Sequence, residues 1–170
     1  LVHASGDKIE YLGGTGVGGG TLIGLAKKML GVQNVEIISA LAAEGDLERV
    51  DLRIGDITDR ELSPTLVMET TAANFGKVSD IATNGDLALG ILNLVFETIA
   101  MVSIFAARSH GLRDVILTGN LSTIPQAGPL FDKTGGMFGF NFRMPVHAQY
   151  ATVIGAALTY FDTNGKEGKE

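Results

Sequence analysis

Apolar residues recur along this chain at two different periods. Lys8-Ile9-Glu10-Tyr11-Leu12 alternates polar with apolar. With Leu1-Val2-His3-Ala4 and the turn signal Ser5-Gly6-Asp7 before it, this segment predicts a β-hairpin. From residue 21 to residue 30 the period becomes helical, placing Leu22, Leu25, Ala26 and Met29 on one face. A second helix is expected from the N-cap Asn34 through Ala43, stopped by Gly45. Residues 49–54 form a short element before a turn-rich stretch to Pro64, and residues 71–76 are expected to open another short helix. The longest helical pattern covers residues 84–110, with Gly111 as its C′ glycine. Beyond it lie a short buried strand at 114–118, helical residues at 125–133, a strand near 137–142 and a last helix at 148–160. Strands alternating with helices predict an α/β domain, residues 1–163, followed by a charged tail at 164–170.

The long helix needs a separate reading. Its residues 87–106 carry one charge, Glu97, and are long enough to cross a bilayer. A charge at the centre of such a span costs about 2.5–3.5 kcal/mol on insertion scales, which favours a buried helix of a soluble domain. Leu87, Leu94 and Met101 line one face, while Ala88, Ile91, Leu92, Val95, Ile99 and Val102 fill another. An arc this wide is covered on more than one side. A homodimer through this helix is the favoured explanation, with complete cover by the chain's own domain as the alternative.

Six glycines occupy the eight positions from Gly13 to Gly20, between the hairpin and the first helix. Glycine lets a ligand press against bare amides, and a helix N-terminus aims its amides and the positive end of its dipole at one place. This arrangement suits a phosphate, although glycine-rich turns also serve as plain loops. No Lys-Ser/Thr follows the last glycine, so the loop is not of the Walker type. No acidic residue closes a second strand about 20 residues on, so it is not a full dinucleotide fingerprint either.

Composition narrows the field. The chain has 170 residues, 45% hydrophobic and 19% charged, as a single soluble globular domain should. A net charge of −6 with no Lys/Arg cluster excludes a nucleic-acid surface. Zero cysteines exclude disulfides, thiolate metal sites and cysteine nucleophiles. His3, His110 and His147 lie too far apart in sequence to form a metal motif. The sequon Asn120-Leu121-Ser122 would matter only in a secreted protein, no secretion signal is present, and the cytoplasm is the expected location. A chain that starts inside a hairpin is expected to be the C-terminal part of a longer protein.

Five blocks carry a more specific resemblance. Gly13-Gly14-Thr15-Gly16-Val17-Gly18-Gly19-Gly20-Thr21-Leu22-Ile23-Gly24-Leu25 resembles the glycine loop and following helix of the type II pantothenate kinases. The similarity continues at Ala43-Glu44-Gly45-Asp46 with Val50-Asp51-Leu52, and at Thr71-Ala72-Ala73-Asn74-Phe75-Gly76. It recurs at Val115-Ile116-Leu117-Thr118-Gly119-Asn120 and at Tyr150-Ala151-Thr152-Val153-Ile154-Gly155-Ala156-Ala157-Leu158, in family order across nearly the whole chain.

The resemblance implies the second domain of the actin-like ATPase/sugar kinase superfold, a mixed sheet flanked by helices with a long dimerisation helix. It implies that Gly16, Val17, Gly18, Gly19, Gly20 and Thr21 meet the phosphates of ATP. Gly119 and Asn120, at a strand exit, would line the adenosine pocket; read locally, they are equally a plain turn. Ala72, Ala73, Asn74 and Phe75 would lie near a pantothenate channel partly shared across the dimer; read locally, they are a capped helix start with a buried Phe. Mg²⁺ and the general base would be held by an N-terminal domain outside this chain, so no catalytic residue is expected here, and half a cleft is expected to be inactive alone. The family commonly has an Arg at the position of Tyr11, where it helps hold the pantothenate carboxylate. A phenol cannot make that bidentate charged pair, which leaves open a related kinase for another small hydroxylated substrate. A non-catalytic nucleotide-binding or dimerisation module is the remaining alternative.

Overall fold

The computed structural model describes residues 1–60, 63 and 66–167, the last six of them by backbone alone. The chain is organised around one helix, α4 (Asn84–Ser109), of 26 residues. Sequence starts it cleanly: the Thr83 hydroxyl accepts from the Asp86 N–H, and the Asp86 carboxylate accepts from the Thr83 N–H at 2.7 Å. Gly111, at φ 68, takes the left-handed conformation that ends it. Three other helices pack on it: α1 (Gly19–Leu30), α2 (Val35–Ala42) and α5 (Ala127–Phe138). Asn34 caps α2 as expected, its side chain accepting from the N–H groups of Glu36 and Ile37.

The core follows from these faces. Leu22 and Ala26 of α1, Ile38 of α2, and Ile91, Leu92, Val95 and Phe96 of α4 are buried with Phe131 of α5. Phe131 stands between Phe96 and Phe142, at ring separations of 5.6 and 5.1 Å. At the α2–α4 crossing two backbones touch: a Cβ on Gly45 would collide with the Gly85 carbonyl, so nothing larger than glycine fits there.

The strands are short and form three separate pairs among the described residues. β1 (Val2–Ser5) and β2 (Lys8–Tyr11) are antiparallel, with His3 opposite Glu10. β3 (Leu52–Arg53) is antiparallel to β4 (Thr71–Ala73), and the single-turn α3 (Ile54–Ile57) follows β3. β5 (Asp114–Ile116) runs parallel to β6 (Asn141–Arg143). One continuous mixed sheet was expected. Strands of two to four residues offer only one or two apolar positions per face, and the helices pack on α4 instead.

Several boundaries also differ from expectation. Residues 71–73 are a strand, not a helix start. The Asp51 carboxylate accepts the Phe75 N–H at 2.8 Å and Phe75 sits at φ 56, which no right-handed helix contains. β5 is only half-covered rather than buried. α5 continues through Phe138, so the last strand starts at Asn141. The final helix, α6 (Ala151–Glu167), follows a 3₁₀ turn at Ala148–Tyr150 and extends through part of the expected tail. Residues 168–170 of that tail lie outside the described residues. α4 alone among the described helices is long and apolar enough to cross a membrane; 56% of its most apolar window is buried in the chain, as in a core helix.

Candidate functional site: a glycine cradle and a polar-floored cavity

The hairpin delivers the chain into the loop before α1. Thr21 organises that loop, its hydroxyl donating to the Gly16 carbonyl at 3.1 Å and accepting from the Gly18 N–H at 3.4 Å. Gly16, at φ 72, makes the reversal that other residues resist. Gly19, Gly20 and Thr21 open α1, so their N–H groups have no intrahelical acceptor and point out of the helix end. Space beside the backbone is empty: a Cβ on Gly16, Gly18 or Gly20 would meet nothing within 4 Å. The first turn of α1 carries no acidic side chain to compete with an anion. Val17 covers the inner side and packs against the core, its N–H bonded to the Thr15 hydroxyl.

The strand exit after β5 comes up beside this loop. A Cβ on Gly19 would stand 3.8 Å from the Leu121 side chain, so the residues following Gly119 and Asn120 border the cradle. Gly119 sits at φ 95 and ψ 174, a conformation essentially reserved for glycine. It is tied by its N–H to the Ala148 carbonyl and by its carbonyl to the Ser122 hydroxyl at 2.7 Å. Tyr11 also reaches the loop, with its hydroxyl 3.8 Å from where a Cβ of Gly14 would be.

Donors around the cradle are amides and the hydroxyls of Thr15 and Thr21, with no carboxylate in the first turn. That set fits phosphate oxygens. It does not fit Mg²⁺, which takes carboxylate and water oxygens, and no step below runs through that ion.

Ala72 to Phe75 lie elsewhere, against the middle of α4. There a cavity of about 870 Å³ opens between α4, α5 and the segment 69–74, and none of loop residues 13–21 lines it. Leu89, Asn93, Glu97 and Met101, each four residues apart, form its α4 wall, and Leu130, Lys133 and Met137 of α5 face them. Its floor is a hydrogen-bonded cluster. The Asn93 amide donates to Asp51 at 2.8 Å and to Glu97 at 3.3 Å, and the Asn74 amide donates to Glu97 at 3.0 Å. Asp51 is fully buried, and its other oxygen holds the Phe75 N–H. Burial pushes the Glu97 carboxyl above its usual range, against the hydrogen bonds from Asn74 and Thr71. Thr70 Oγ1, on the cavity wall, is buried and makes no hydrogen bond among the described residues. Of the predicted cavity-side residues, Asn74 reaches the cavity directly, and Phe75 turns towards Gly90 beneath it. Sequence reasoning passed over Asp51, Asn93 and Glu97 as site residues. The signal was an i, i+4 polar pair at the centre of an otherwise apolar helix.

The fold and cradle thus define an α/β protein with an anion-accepting helix N-terminus. The chain belongs to the Fumble family, whose pattern it matches over residues 1–126. It is 34% identical over 117 residues to a type II pantothenate kinase of Bacillus cereus (strain ATCC 10987 / NRS 248), covering 67% of this chain and 42% of that protein. A type II pantothenate kinase of Bacillus anthracis gives the same identity over the same length. Pantothenate kinase 1 of Oryza sativa subsp. japonica is 32% identical over 126 residues, 70% of this chain and 19% of that protein. The chain therefore spans about two-fifths of the length of the bacterial relatives.

Proposed function

We propose that this chain is the nucleotide-binding half of an ATP-dependent pantothenate kinase, a second domain of the actin-like ATPase/sugar kinase superfold. The observation that carries the reading is the cradle: unpaired amides at the start of α1, empty space where side chains would be, and no acidic residue in the first turn. Amides fixed by the Thr21 hydroxyl bonds need no reorganisation as charge builds on the β- and γ-phosphate oxygens, which is where such dipoles lower a barrier. Gly119 and Asn120, beside the loop, would accept the nucleoside end. The cavity floored by Asn74, Asn93 and Glu97 would receive the substrate, a small polar molecule with an apolar stem suited to the cavity's mixed lining.

In this reading the γ-phosphoryl group passes to the primary hydroxyl of pantothenate, entering coenzyme A synthesis in the cytoplasm. Mg²⁺ and the general base come from the part of the enzyme that the matched relatives have and this chain lacks. A homodimer would close the remaining face of α4, where Leu87, Leu94 and Met101 are only half-buried.

Tyr11 favours one second reading. Its exposed phenol at the loop edge replaces a charged carboxylate partner, and a related kinase for another small hydroxylated substrate would tolerate that. Turnover of pantothenate against other hydroxy acids by the full-length enzyme separates the two.

Calorimetric titration of Mg·ATP into the wild-type chain and Gly19→Val tests the cradle itself. A Cβ at Gly19 meets only the Leu121 side chain, at an ordinary 3.8 Å, so the variant is expected to fold while its side chain obstructs the amides. Saturable binding weakened at least about tenfold, or 1.4 kcal/mol, is expected. Unchanged affinity in a folded Gly19→Val variant sinks the assignment.

A further inference from the structure

Three side chains that are remote in sequence meet at the far end of α4 from its capping box. His3 lies on β1, Glu10 is its cross-strand partner on β2, and His110 is the C-cap of α4. The two imidazoles stack with ring centroids 4.5 Å apart and a 42° tilt, and His3 Nδ1 stands 4.0 Å from Glu10 Oε2. One ligand atom from each of the three residues lies within 4.8 Å of the others.

We propose that His3, Glu10 and His110 form a binding site for a divalent transition metal, with Zn²⁺ as the natural occupant. Two imidazole nitrogens and a carboxylate oxygen are a recurrent zinc set, which leaves a fourth position for water. Hard cations such as Mg²⁺ and Ca²⁺ prefer all-oxygen sites and are disfavoured here. A tetrahedral ion with bonds of about 2.0–2.1 Å needs its ligand atoms roughly 3.3 Å apart, so each must close in by about 1 Å. The geometry permits that movement. Glu10 is 65% exposed and free to change rotamer, while the backbone of His110 is held by N–H bonds to the Ala106 and Ala107 carbonyls. The negative end of the α4 dipole adds to the attraction for a cation.

The packing of the hairpin gives the site a purpose. Every residue of β1 and β2 is exposed except His3, and Val2, Ile9 and Tyr11 are 61%, 78% and 77% exposed. His3 against His110 is therefore the hairpin's main hold on the helical body. A metal there would clamp to α4 the hairpin that leads directly into the glycine cradle. This inference does not depend on the identity of the substrate.

The test uses the metal-stripped chain without a histidine tag. Zn²⁺ is titrated calorimetrically, Co²⁺ reports coordination through its visible d–d absorption, and hydrogen exchange follows the amides of residues 2–11. One Zn²⁺ per chain, a four-coordinate Co²⁺ spectrum and slowed exchange in the hairpin are expected. His3→Ala and His110→Ala should each weaken binding by at least about 100-fold, the upper end of what losing an outer-shell partner costs a metal site. Because His3→Ala could loosen the hairpin by itself, Glu10→Gln is the second variant; its exposed side chain supports no packing, and about a tenfold loss is expected. His147→Ala should change nothing. Absence of Zn²⁺ binding, or affinity unchanged in the His3, His110 or Glu10 variant, overturns the site.

Discussion

Asp86→Asn isolates one carboxylate on which the placement of α4 depends. The Asp86 carboxylate is 1% exposed and accepts from the Thr83 N–H at 2.7 Å and from the Asp46 N–H at 2.8 Å. Arg49 stands 3.5 Å away. The Thr83 amide is the largest influence on its acidity. With the Asp46 amide, the Thr83 hydroxyl and Arg49, it outweighs the opposing effect of burial and lowers the pKa from 3.8 to about 2. The folded-state pKa lies below the unfolded value, so the stabilisation is fully present above about pH 4 and is lost as pH falls through about 2. Converted directly, it is worth at most about 2.4 kcal/mol at neutral pH. Arg49 is about half exposed and the site lies just beneath the surface, so screening by water leaves ~1–2 kcal/mol. In Asp86→Asn one backbone N–H must face an amide NH₂ instead of an oxygen. Adding that unsatisfied donor gives an expected loss of about 2–3 kcal/mol at neutral pH. Urea unfolding followed by far-UV circular dichroism, in steps from neutral to about pH 2, measures both quantities. The gap between wild type and variant should narrow as acid removes from wild type what the variant already lacks. A gap below about 0.5 kcal/mol at neutral pH, or one that stays constant into acid, would refute the reasoning.

Two further outcomes follow from the sites. Glu97 is held above its usual pKa by burial, so its ionised form opposes folding and stability falls as pH rises above 4.5 through the raised value. Glu97→Gln keeps an oxygen for the Asn74 and Asn93 amides and should melt higher than wild type at neutral pH, with the difference vanishing in acid; a lower neutral Tm contradicts the assignment. Gly119→Ala adds a methyl that would touch nothing within 4 Å, yet it forces alanine to φ 95, so a destabilisation of ~1–3 kcal/mol from the backbone alone is expected. Urea unfolding within about 0.5 kcal/mol of wild type would show that the turn relaxes.

Local signals in the sequence were legible where the chain obeys its neighbours. The turn at Ser5-Gly6-Asp7, the Asn34 cap and the Gly111 stop each act within a few residues, and each element formed where its signal lies. Reading failed where a distant residue decided the outcome. Residues 71–76 were expected to start a helix, but Asp51, 24 positions from Phe75, fixes the backbone there. The three histidines were judged too far apart for a metal, and the fold brings two of them into ring contact. Apolar arcs on α4 announced burial on several sides without saying by what; α1, α2 and α5 supply most of the cover. The glycine cradle was legible because its chemistry is a backbone property, written directly in the residues that lack side chains.

The polar cluster within α4 shows how the helix and the cavity specify each other. Asn93 is 5% exposed in a helix otherwise built for an apolar core, and a polar group buried there is tolerated only with partners. Those partners are not on the helix alone. Asp51 comes from the end of a 3₁₀ turn, Thr71 from β4 and Asn74 from the segment after it. Asp51 in turn fixes Phe75, whose ring lies over Gly90, where a Cβ would stand only 3.2 Å from the ring edge. Gly90 is therefore small because Phe75 is turned inward, and Phe75 is turned inward because Asp51 is anchored by Asn93. Helix, strand and cavity floor form one closed set of dependencies, so loss of any of these polar groups should disturb the cavity shape as well as stability. The cradle is attached to the same helix through a different set of contacts, Leu22 and Ala26 of α1. That separation lets the cradle and the cavity be perturbed independently, although both rest on α4.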